Sequence, residues 1–303
     1  MARMNLSLLG VPSSIGARNT GTEKAPSALR LAGLAGRLEA TGHSVRDAGD
    51  QETSAYVPDE NPSHRKLRNL DGVIRVIKAL SARVESVLRE GRVPLVLGGD
   101  CTVALGSLAG AVRVHGEMGL AYFDRDAELN TPRSSPSGIL DGMVIAHLLG
   151  RGEPALALPE GGPPLLRPGK LALLGVERLD REEIPFYEAL PALRIPGPEI
   201  WQMGGAKAAE EVLTRLASGE DRFWVHCDLD VLDGSEMSAV DFPAPGGISL
   251  VQMKVFLARL AGAAGFTGLE VTNFNPDKDP EGEVARRVVD LLAAGLAPEG
   301  PRG

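Results

Sequence analysis

The chain has 303 residues, a formal net charge of -8 at pH 7, 43% hydrophobic residues and two cysteines. This composition is typical of a globular protein with a sizeable core, and an acidic chain without a stripe of Lys and Arg is not expected to bind nucleic acid. No signal-peptide pattern, no disulfide framework and no apolar run near the ~20 residues of a membrane helix is found, so we expect a cytoplasmic protein without a membrane partner.

Apolar runs of strand length alternate with helical patterns along the chain. Strands are predicted at residues 5–9, 93–97, 119–123, 170–174, 222–227 and 267–271. A helix is predicted after Pro26 from the stripe Leu29, Leu31, Leu34 and Leu38, and others at 67–89, 102–114, 140–149, 206–217, 250–264 and 281–296. The alternation predicts an α/β fold with a doubly wound, mostly parallel sheet and helices on both faces.

Two stretches interrupt this alternation. Residues 50–66 and 151–168 are rich in Pro, Gly and polar residues and are predicted to be surface loops. The second has the composition of a linker, but the β/α pattern resumes after it. We therefore predict a single domain over residues 1–303.

Two of the predicted strands run directly into acidic residues. Asp124, Asp126 and Glu128 form the first acidic segment, and Asp228 and Asp230 form the second. Because side chains alternate along a strand and parallel strands end at one edge of the sheet, all five carboxylates are predicted to converge. Such a cluster repels itself unless a cation is bound, and oxygen ligands suit hard divalent metals. A metal site is therefore favoured over two solvated loops.

The polar segments that follow the strands, taken in chain order, resemble the arginase/agmatinase (ureohydrolase) family. The matching stretches are Gly98-Gly99-Asp100-Cys101, Asp124-Arg125-Asp126-Ala127-Glu128 followed by Asn130-Thr131-Pro132, Asp228-Leu229-Asp230-Val231-Leu232-Asp233-Gly234, and Gly246-Gly247-Ile248-Ser249. The resemblance extends from Gly10 to Pro276. It implies a three-layer α/β/α fold that holds two manganese ions at the strand ends and hydrolyses a guanidinium C–N bond.

The departures from the family's motifs fall on residues that carry its chemistry. Cys101 and Asp126 stand where the family has two histidine ligands, and Glu128 replaces an aspartate. Asp141 stands where arginases carry a histidine thought to shuttle protons, and Asn273 where they carry a glutamate that helps to hold the guanidinium. Together these changes predict a different substrate, altered metal use or lost activity.

The resemblance implies which residues would bind metal. The six predicted ligands are Asp124 and Asp228 as bridges, Cys101 and Glu128 at one ion, and Asp126 and Asp230 at the other. Because the shell is rich in oxygen and lacks both histidines, Mn²⁺ or Mg²⁺ is expected before Zn²⁺. For Cys101, the alternative is a buried cysteine that only fills space.

Catalytic and substrate-binding residues are assigned in the same way. Asp141 is predicted to transfer a proton, and Asn273 occupies the second catalytic position. Asn130, Ser137 and Asp180 are predicted to contact substrate. Asp180 matches a position that contacts the substrate α-amino group in arginases, and a helix cap is its alternative role.

The predicted function is a metal-dependent hydrolase that cleaves a C–N bond of a guanidino or related amidine-type cation, with poor activity on plain arginine. His226 is predicted to hydrogen-bond a ligand carboxylate from behind the site, or else to be a satisfied core histidine. One alternative is a non-catalytic member that binds metal or a cationic ligand as a regulatory or scaffold protein. Another is a metal-free fold in which Arg125 or a lysine neutralises part of the acid cluster, although strand alternation points Arg125 away. A homo-oligomer is left open.

Overall fold

The computed structural model of the chain describes residues 3–53, 56, 58, 67–157, 161–219 and 221–298. The strands, numbered in chain order, are β1 (Asn5–Gly10), β2 (Ser44–Asp50), β3 (Val93–Leu97), β4 (Met118–Phe123), β5 (Leu171–Leu174), β6 (Leu193–Ile195), β7 (Arg222–Asp228) and β8 (Phe266–Thr272). They form one sheet in the order β2-β1-β3-β8-β7-β4-β5-β6, and every neighbouring pair is parallel.

Helices cover both faces of this sheet. They are α1 (Ala25–Leu31), α2 (Leu34–Ala40), α3 (Leu70–Arg89), α4 (Val103–His115), α5 (Val144–Leu148), α6 (Pro154–Ala157), α7 (Ile184–Ala189), α8 (Gly197–Met203), α9 (Gly205–Leu216), α10 (Leu250–Ala261) and α11 (Glu283–Gly295). Alternation along β4 sends Ala121 and Phe123 into a core with α1, α2, α9, α10 and α11, and Leu120 and Tyr122 into a core with α3, α4 and α5. The predicted doubly wound α/β fold is confirmed.

The helix predicted after Pro26 is broken into two. Helix α1 ends at Leu31 and α2 begins at Leu34, because Gly33 between them adopts the left-handed conformation with φ 87°. Leu29, Leu34 and Leu38 of the predicted stripe are buried, whereas Leu31 is 87% exposed and does not belong to the same apolar face. The helix predicted at 140–149 is also shorter, since a 3₁₀ turn at Asp141–Met143 precedes α5.

The sequence patterns did not predict the two strands at the edges of the sheet. Strand β2 is half-buried or exposed throughout, and β6 has three residues. An edge strand pairs on one side only and need not be apolar, so its sequence lacks the buried run by which the central strands were recognised.

The two predicted loops are described in part. Residues 54, 55, 57 and 59–66 of the first and 158–160 of the second lie outside the described residues. The second contains the short helix α6, and the strands before and after it, β4 and β5, pair directly in the sheet. Among the described residues, no helix combines the length and the apolar character needed to cross a membrane.

Candidate metal centre

Both acidic segments lie at the carboxyl edge of the sheet, as predicted, but turns rather than strand alternation bring them together. Strand β4 ends before Asp124, whose Oδ1 accepts a hydrogen bond from the Asp126 N–H at 2.7 Å. At the end of β7, Asp228 Oδ1 accepts the Asp230 N–H at 2.8 Å, within a 3₁₀ turn. The same side-chain-to-backbone turn therefore follows both strands, and the alternation argument was wrong beyond the strand ends.

A tight backbone crossing positions Cys101 at the start of α4. A Cβ on Gly99 would lie 1.6 Å from the carbonyl oxygen of Ser13, so only glycine fits there. The buried Asp100 carboxylate accepts the backbone N–H groups of Gly16 and Thr102, each at 3.0 Å. Asp100 thus fixes the loop after β1 against the Gly98-Gly99 turn, which leaves Cys101 facing the two acidic segments.

Five side chains form a cluster that we call the inner half of the site: Cys101, Asp124, Glu128, Asp141 and Asp228. Cys101 Sγ lies 2.9 Å from Asp228 Oδ2 and 3.9 Å from Asp124 Oδ2. Ligand atoms of Cys101, Glu128 and Asp141 also lie within 4.8 Å of one another. Asp141 therefore lies beside two of the predicted ligands, and its Oδ1 accepts the Cys101 N–H at 2.7 Å.

The acidic groups of the inner half have no basic partner among the described residues. Asn273 Nδ2 donates to Asp228 and the Tyr122 hydroxyl donates to Glu128, and both donors are neutral. Among the described residues, no Arg or Lys forms an ion pair with the four inner carboxyl groups. Glu128 and Asn273 both have positive φ values, 49° and 60°, which are uncommon for residues other than glycine and occur often at functional sites.

Burial changes the acidity of the inner half. It is the main cause that raises the pKa of Asp124, Glu128 and Asp228 well above the usual carboxyl range, and repulsion between the carboxyl groups adds to it. Burial also raises the pKa of the Cys101 thiol, which donates to Asp228. In the absence of a cation these raised pKa values favour the protonated forms, and a bound cation would displace the protons.

The remaining two acids, Asp126 and Asp230, form what we call the outer half of the site. Arg178 neutralises both: its Nε and Nη2 donate to Asp126 at 3.0 and 2.7 Å, and Nη2 also donates to Asp230. Burial raises the pKa of Asp126 to about 6, against the opposing effect of Arg178. Oxygens of Asp124, Asp126 and Asp230 lie within 4.8 Å of one another, so Asp124 adjoins both halves.

The sequence analysis missed Arg178 and considered Arg125 in its place. Arg125 is buried but turned away, with Nη2 3.3 Å from the Pro245 carbonyl and 3.6 Å from the Glu177 carboxylate. Arg178 follows β5, whose pairing with β4 brings the next residues beside the first acidic segment. The one available signal was a basic residue after a strand of a parallel sheet, which by itself does not identify a partner.

A cavity of about 310 Å³ opens onto the site, and the three predicted substrate contacts, Asn130, Ser137 and Asp180, line it. The Asp180 carboxylate accepts Asn130 Nδ2 at 2.8 Å, whereas α7 has Glu183 as its N-cap residue and no side-chain cap, so Asp180 does not cap that helix. The lining also includes Asp126, Glu128, Asp141, Glu183, Arg18 and Arg178. Acids outnumber bases, and the cavity therefore favours a cation.

His226 and Asn273 lie behind the cavity. His226 Nδ1 is 2.8 Å from Glu270 Oε1 and Nε2 is 3.4 Å from Thr272 Oγ1, so its hydrogen bonds go to these residues rather than to a predicted ligand carboxylate. A ring nitrogen also lies within 4.8 Å of ligand atoms of Cys101, Asp124 and Asp228, which makes His226 a candidate ligand that the sequence analysis did not assign. It stacks on Tyr122 with ring centroids 4.1 Å apart. Asn273 bonds to Asp228 and is absent from the cavity lining, which puts its amide beside the ligands rather than in the substrate space.

The two halves differ in whether they suit the metal that the family resemblance implies. The inner half gathers a thiol and four carboxyl groups, and burial is the main cause that raises the pKa of all four. Ligand atoms of Cys101, Asp124, Asp228 and His226 lie within 4.8 Å of one another, as do those of Cys101, Glu128 and Asp141, and this donor set fits a divalent ion. In the outer half, the Arg178 guanidinium already bonds to both acids, so the residues present do not fit a second ion.

Comparison with known proteins gives matches over nearly the whole chain. The model of the arginase family matches residues 4–297. An arginase from Bacillus caldovelox is 33% identical over 289 residues, 95% of this chain and 97% of that protein. The crystal structure of the arginase from Bacillus cereus superposes with a TM-score of 0.89 at 32% identity, over 98% of this chain and 100% of the other. Formimidoylglutamase from Bacillus subtilis, at 19% identity and a TM-score of 0.77 over 97% of this chain and 87% of its own, shares the fold. The chain belongs to the arginase family.

Proposed function

We propose that this protein is a metal-dependent hydrolase that cleaves a C–N bond of a guanidino or related amidine-type cation, and that plain arginine is a poor substrate. The observation that carries the proposal is the inner half of the site, where a thiol and four carboxyl groups converge without a basic partner among the described residues. Such a cluster is stable at neutral pH only with protons or with a bound cation. Family membership supports hydrolysis as the reaction.

Four groups would hold the ion: the Cys101 thiol, after loss of its proton, and the carboxylates of Asp124, Glu128 and Asp228. Mn²⁺, or Mg²⁺, is the proposed metal because oxygen donors dominate the set. When bound, a divalent ion supplies Lewis acidity that activates water as a nucleophile. The negative charge of its ligands reduces that acidity relative to neutral ligands, so protein groups must assist the proton transfers.

Asp141 is the residue to which we assign proton transfer. Burial, and then the neighbouring Asp100, raise the pKa of its carboxyl group well above the usual range, which suits an acid that works near neutral pH. Its Oδ1 accepts the Cys101 N–H, so Oδ2 is the atom that would carry the proton. Because Asp141 also lines the cavity, that proton can reach the amine that leaves the substrate.

The residues that line the cavity favour a cationic substrate other than arginine. Asn130, Ser137 and Asp180 line it and would bind the part of the substrate away from the reacting carbon. Asn273 is neutral where arginases carry a glutamate, and its amide donates to Asp228, so it offers no carboxylate to pair with a substrate guanidinium. A less basic or differently shaped amidine therefore fits better than the arginine guanidinium.

The experiment is an assay of urea and amine release under saturating Mn²⁺, with arginine, agmatine, guanidinobutyrate and N-hydroxylated analogues compared side by side. We expect one of the alternatives to be turned over faster than arginine. Asp228→Asn is the inactive control, because it removes the central ligand charge and keeps the side-chain volume. A turnover rate on arginine within the usual enzymic range of about 1–10³ s⁻¹ would contradict the proposal.

The ion pairs of Arg178 with Asp126 and Asp230 favour a second candidate, a non-catalytic family member that binds metal or a cationic ligand. They remove two of the six predicted ligands from metal binding. Calorimetric titration with the same substrates separates the candidates. Tight binding of a guanidino compound, without release of any product from the whole panel, would establish the binding role.

A further inference from the structure

Arg178 is anchored to the first acidic segment by its own backbone. The N–H groups of Glu177 and Arg178 both donate to the Arg125 carbonyl at 2.9 Å, and Arg178 forms a parallel bridge with Asp126. This pairing fixes the Cα of Arg178 next to the acids that its side chain neutralises. The main chain therefore holds Arg178 within side-chain reach of these acids.

The Arg178 side chain is also held at all three of its nitrogens. Nε and Nη2 contact Asp126 in the bidentate arrangement that suits a planar guanidinium and a carboxylate, and Nη2 extends to Asp230. Nη1 donates to the Phe242 carbonyl at 3.4 Å, and the Phe242 ring centroid lies 5.9 Å from the guanidinium carbon. A lysine has one charged nitrogen and cannot make this set of contacts.

These contacts engage both carboxylate oxygens of Asp126 and one of Asp230, which a metal ion in the outer half would need. An ion bound to Asp124, Asp126 and Asp230 would sit among oxygens that lie within 4.8 Å of one another, and Arg178 bonds to two of these three residues. A divalent ion would also be repelled by the guanidinium at contact distance. Arginine does not lose its charge at accessible pH, so deprotonation cannot vacate the position.

We infer that the centre holds one divalent ion, in the inner half, and that the Arg178 guanidinium takes the place of a second ion in the outer half. The inference rests on the proposed metal-dependent function and specifies its stoichiometry, where the family resemblance implies two ions. It also assigns a permanent positive charge to the cavity wall, because Arg178 lines the cavity and its charge is present with or without metal.

The test is metal stoichiometry rather than activity. The full chain is stripped with chelator, dialysed against Mn²⁺ and analysed for bound metal by mass spectrometry, and electron paramagnetic resonance distinguishes an isolated Mn²⁺ ion from a spin-coupled pair. We expect one ion per chain in the wild type and two, with the spin-coupled signal, in Arg178→Ala. Arg178→Lys, which retains a charge, should keep one ion. Arg181→Ala, an exposed arginine on the same loop, is the matched control and should also keep one.

Each other outcome has a definite meaning, provided that thermal unfolding shows each variant to be folded. Two ions in the wild type would overturn the inference and leave the metal-dependent function standing. One ion in both the wild type and Arg178→Ala would also overturn it, since Arg178 would not be what limits the count. No ion in any of the proteins would overturn the proposed function, and the inference would fall with it.

Discussion

The inner and outer halves of the site begin from the same local structure and end with different partners. In each acidic segment the first aspartate accepts the N–H two residues later, Asp126 for Asp124 and Asp230 for Asp228. The outer pair is neutralised by Arg178, whereas the inner carboxyl groups have neutral donors only among the described residues. In the outer half, a positive charge of the protein itself offsets the repulsion between the acids. The inner half has no such charge, and its acids require protons or a metal ion from solution.

The two halves also differ in how their charge depends on pH and on metal. The inner half carries raised carboxyl pKa values and the only thiol of the site, so its charge depends on pH and on metal. The outer half has a guanidinium whose charge is constant, and that side chain lines the cavity next to Asp126. We therefore expect substitutions in the inner half to weaken metal binding. Substitutions in the outer half should act on stability and on substrate orientation, and removal of the guanidinium should also admit a second ion.

The largest expected effect is the loss of metal stabilisation in Asp228→Asn. Mn²⁺ at about 100-fold over its dissociation constant should raise the free energy of unfolding of the wild type by roughly 2.7 kcal/mol. The variant removes the charge at the centre of the inner half and should show no shift in a thermal melt with and without Mn²⁺. Asp290→Asn, at an exposed ion pair with Arg37, is the control and should keep the full shift. A metal shift of the same size in Asp228→Asn would show that the ligand assignment is wrong.

The next effect concerns the arginine activity that the family name suggests. A variant that combines Cys101→His, Asp126→His, Asp141→His and Asn273→Glu restores the family's residues, but Asp126→His also removes the bidentate partner of Arg178. The guanidinium would then remain beside Asp230 without its main acceptor.

We expect urea release from arginine to rise only when Arg178→Ala is added to the four changes, by at least about tenfold, or ~1.4 kcal/mol of activation free energy. The measurement is urea release under saturating Mn²⁺, with the four-position variant as the direct comparison. An equal rise without Arg178→Ala would mean that Arg178 does not control this chemistry. No rise in either variant would place the decisive differences in the loops that line the cavity.

A smaller effect is expected from Arg178→Ala on the metal-free protein. The side chains of Arg178 and Asp126 are 33% and 47% exposed, so solvent screens this pair, whereas Asp230 is 7% exposed and would lose a buried partner. We expect a loss of roughly 1 kcal/mol in the free energy of unfolding, measured by chemical denaturation. Arg37→Ala, at the exposed pair with Asp290, should change it by less than about 0.5 kcal/mol. Equal effects of the two variants would mean that the outer ion pairs contribute no more than a surface pair.

The sequence predicted the central strands and the edge at which the acids meet. Strands that are buried on both faces are recognisable in the sequence as continuous apolar runs. Strand β3 was predicted at its observed bounds, and the acids after β4 and β7 were expected at the same edge of the sheet. Edge strands β2 and β6 were missed because one of their sides faces no neighbouring strand. The comparisons confirm the family, and the ligand assignment taken from its motifs stays a prediction.

The charge balance of the site was not predictable from the same patterns. Pairing of Arg178 with Asp126 and Asp230 depends on strand order, since β5 must lie beside β4 and β4 beside β7 before these residues can meet. Sequence separation gives no indication of this order in a doubly wound sheet. The role of Asp141 next to Cys101 has the same origin, because the contact joins two loops that follow different strands.

The smallest expected effect is the pH dependence of stability, which compares the two halves in the metal-free protein. A carboxyl group whose pKa is raised on folding stabilises the native state fully below its unfolded pKa, near 4, and this contribution is lost as pH rises through the folded value. Burial raises the pKa of Asp126 to about 6 and that of Glu128 well above its usual range. Burial lowers the pKa of His147 to about 4. A histidine whose pKa is lowered on folding makes the free energy of unfolding rise with pH, which opposes the effect of the carboxyl groups.

Comparison of the wild type with Glu128→Gln separates these contributions, because His147 is common to both proteins. We expect the two to be about equally stable near pH 4 and Glu128→Gln to become the more stable as pH rises, when chelator is present. Saturating Mn²⁺ should reverse the order, because the metal replaces the proton on Glu128 in the wild type and the amide is a weaker ligand. Thermal melts across this pH range, with and without Mn²⁺, make the measurement. If the stability difference between the two proteins stays constant with pH under chelator, the pKa of Glu128 is not raised on folding. A positively charged group of the protein would then neutralise Glu128 in the metal-free site.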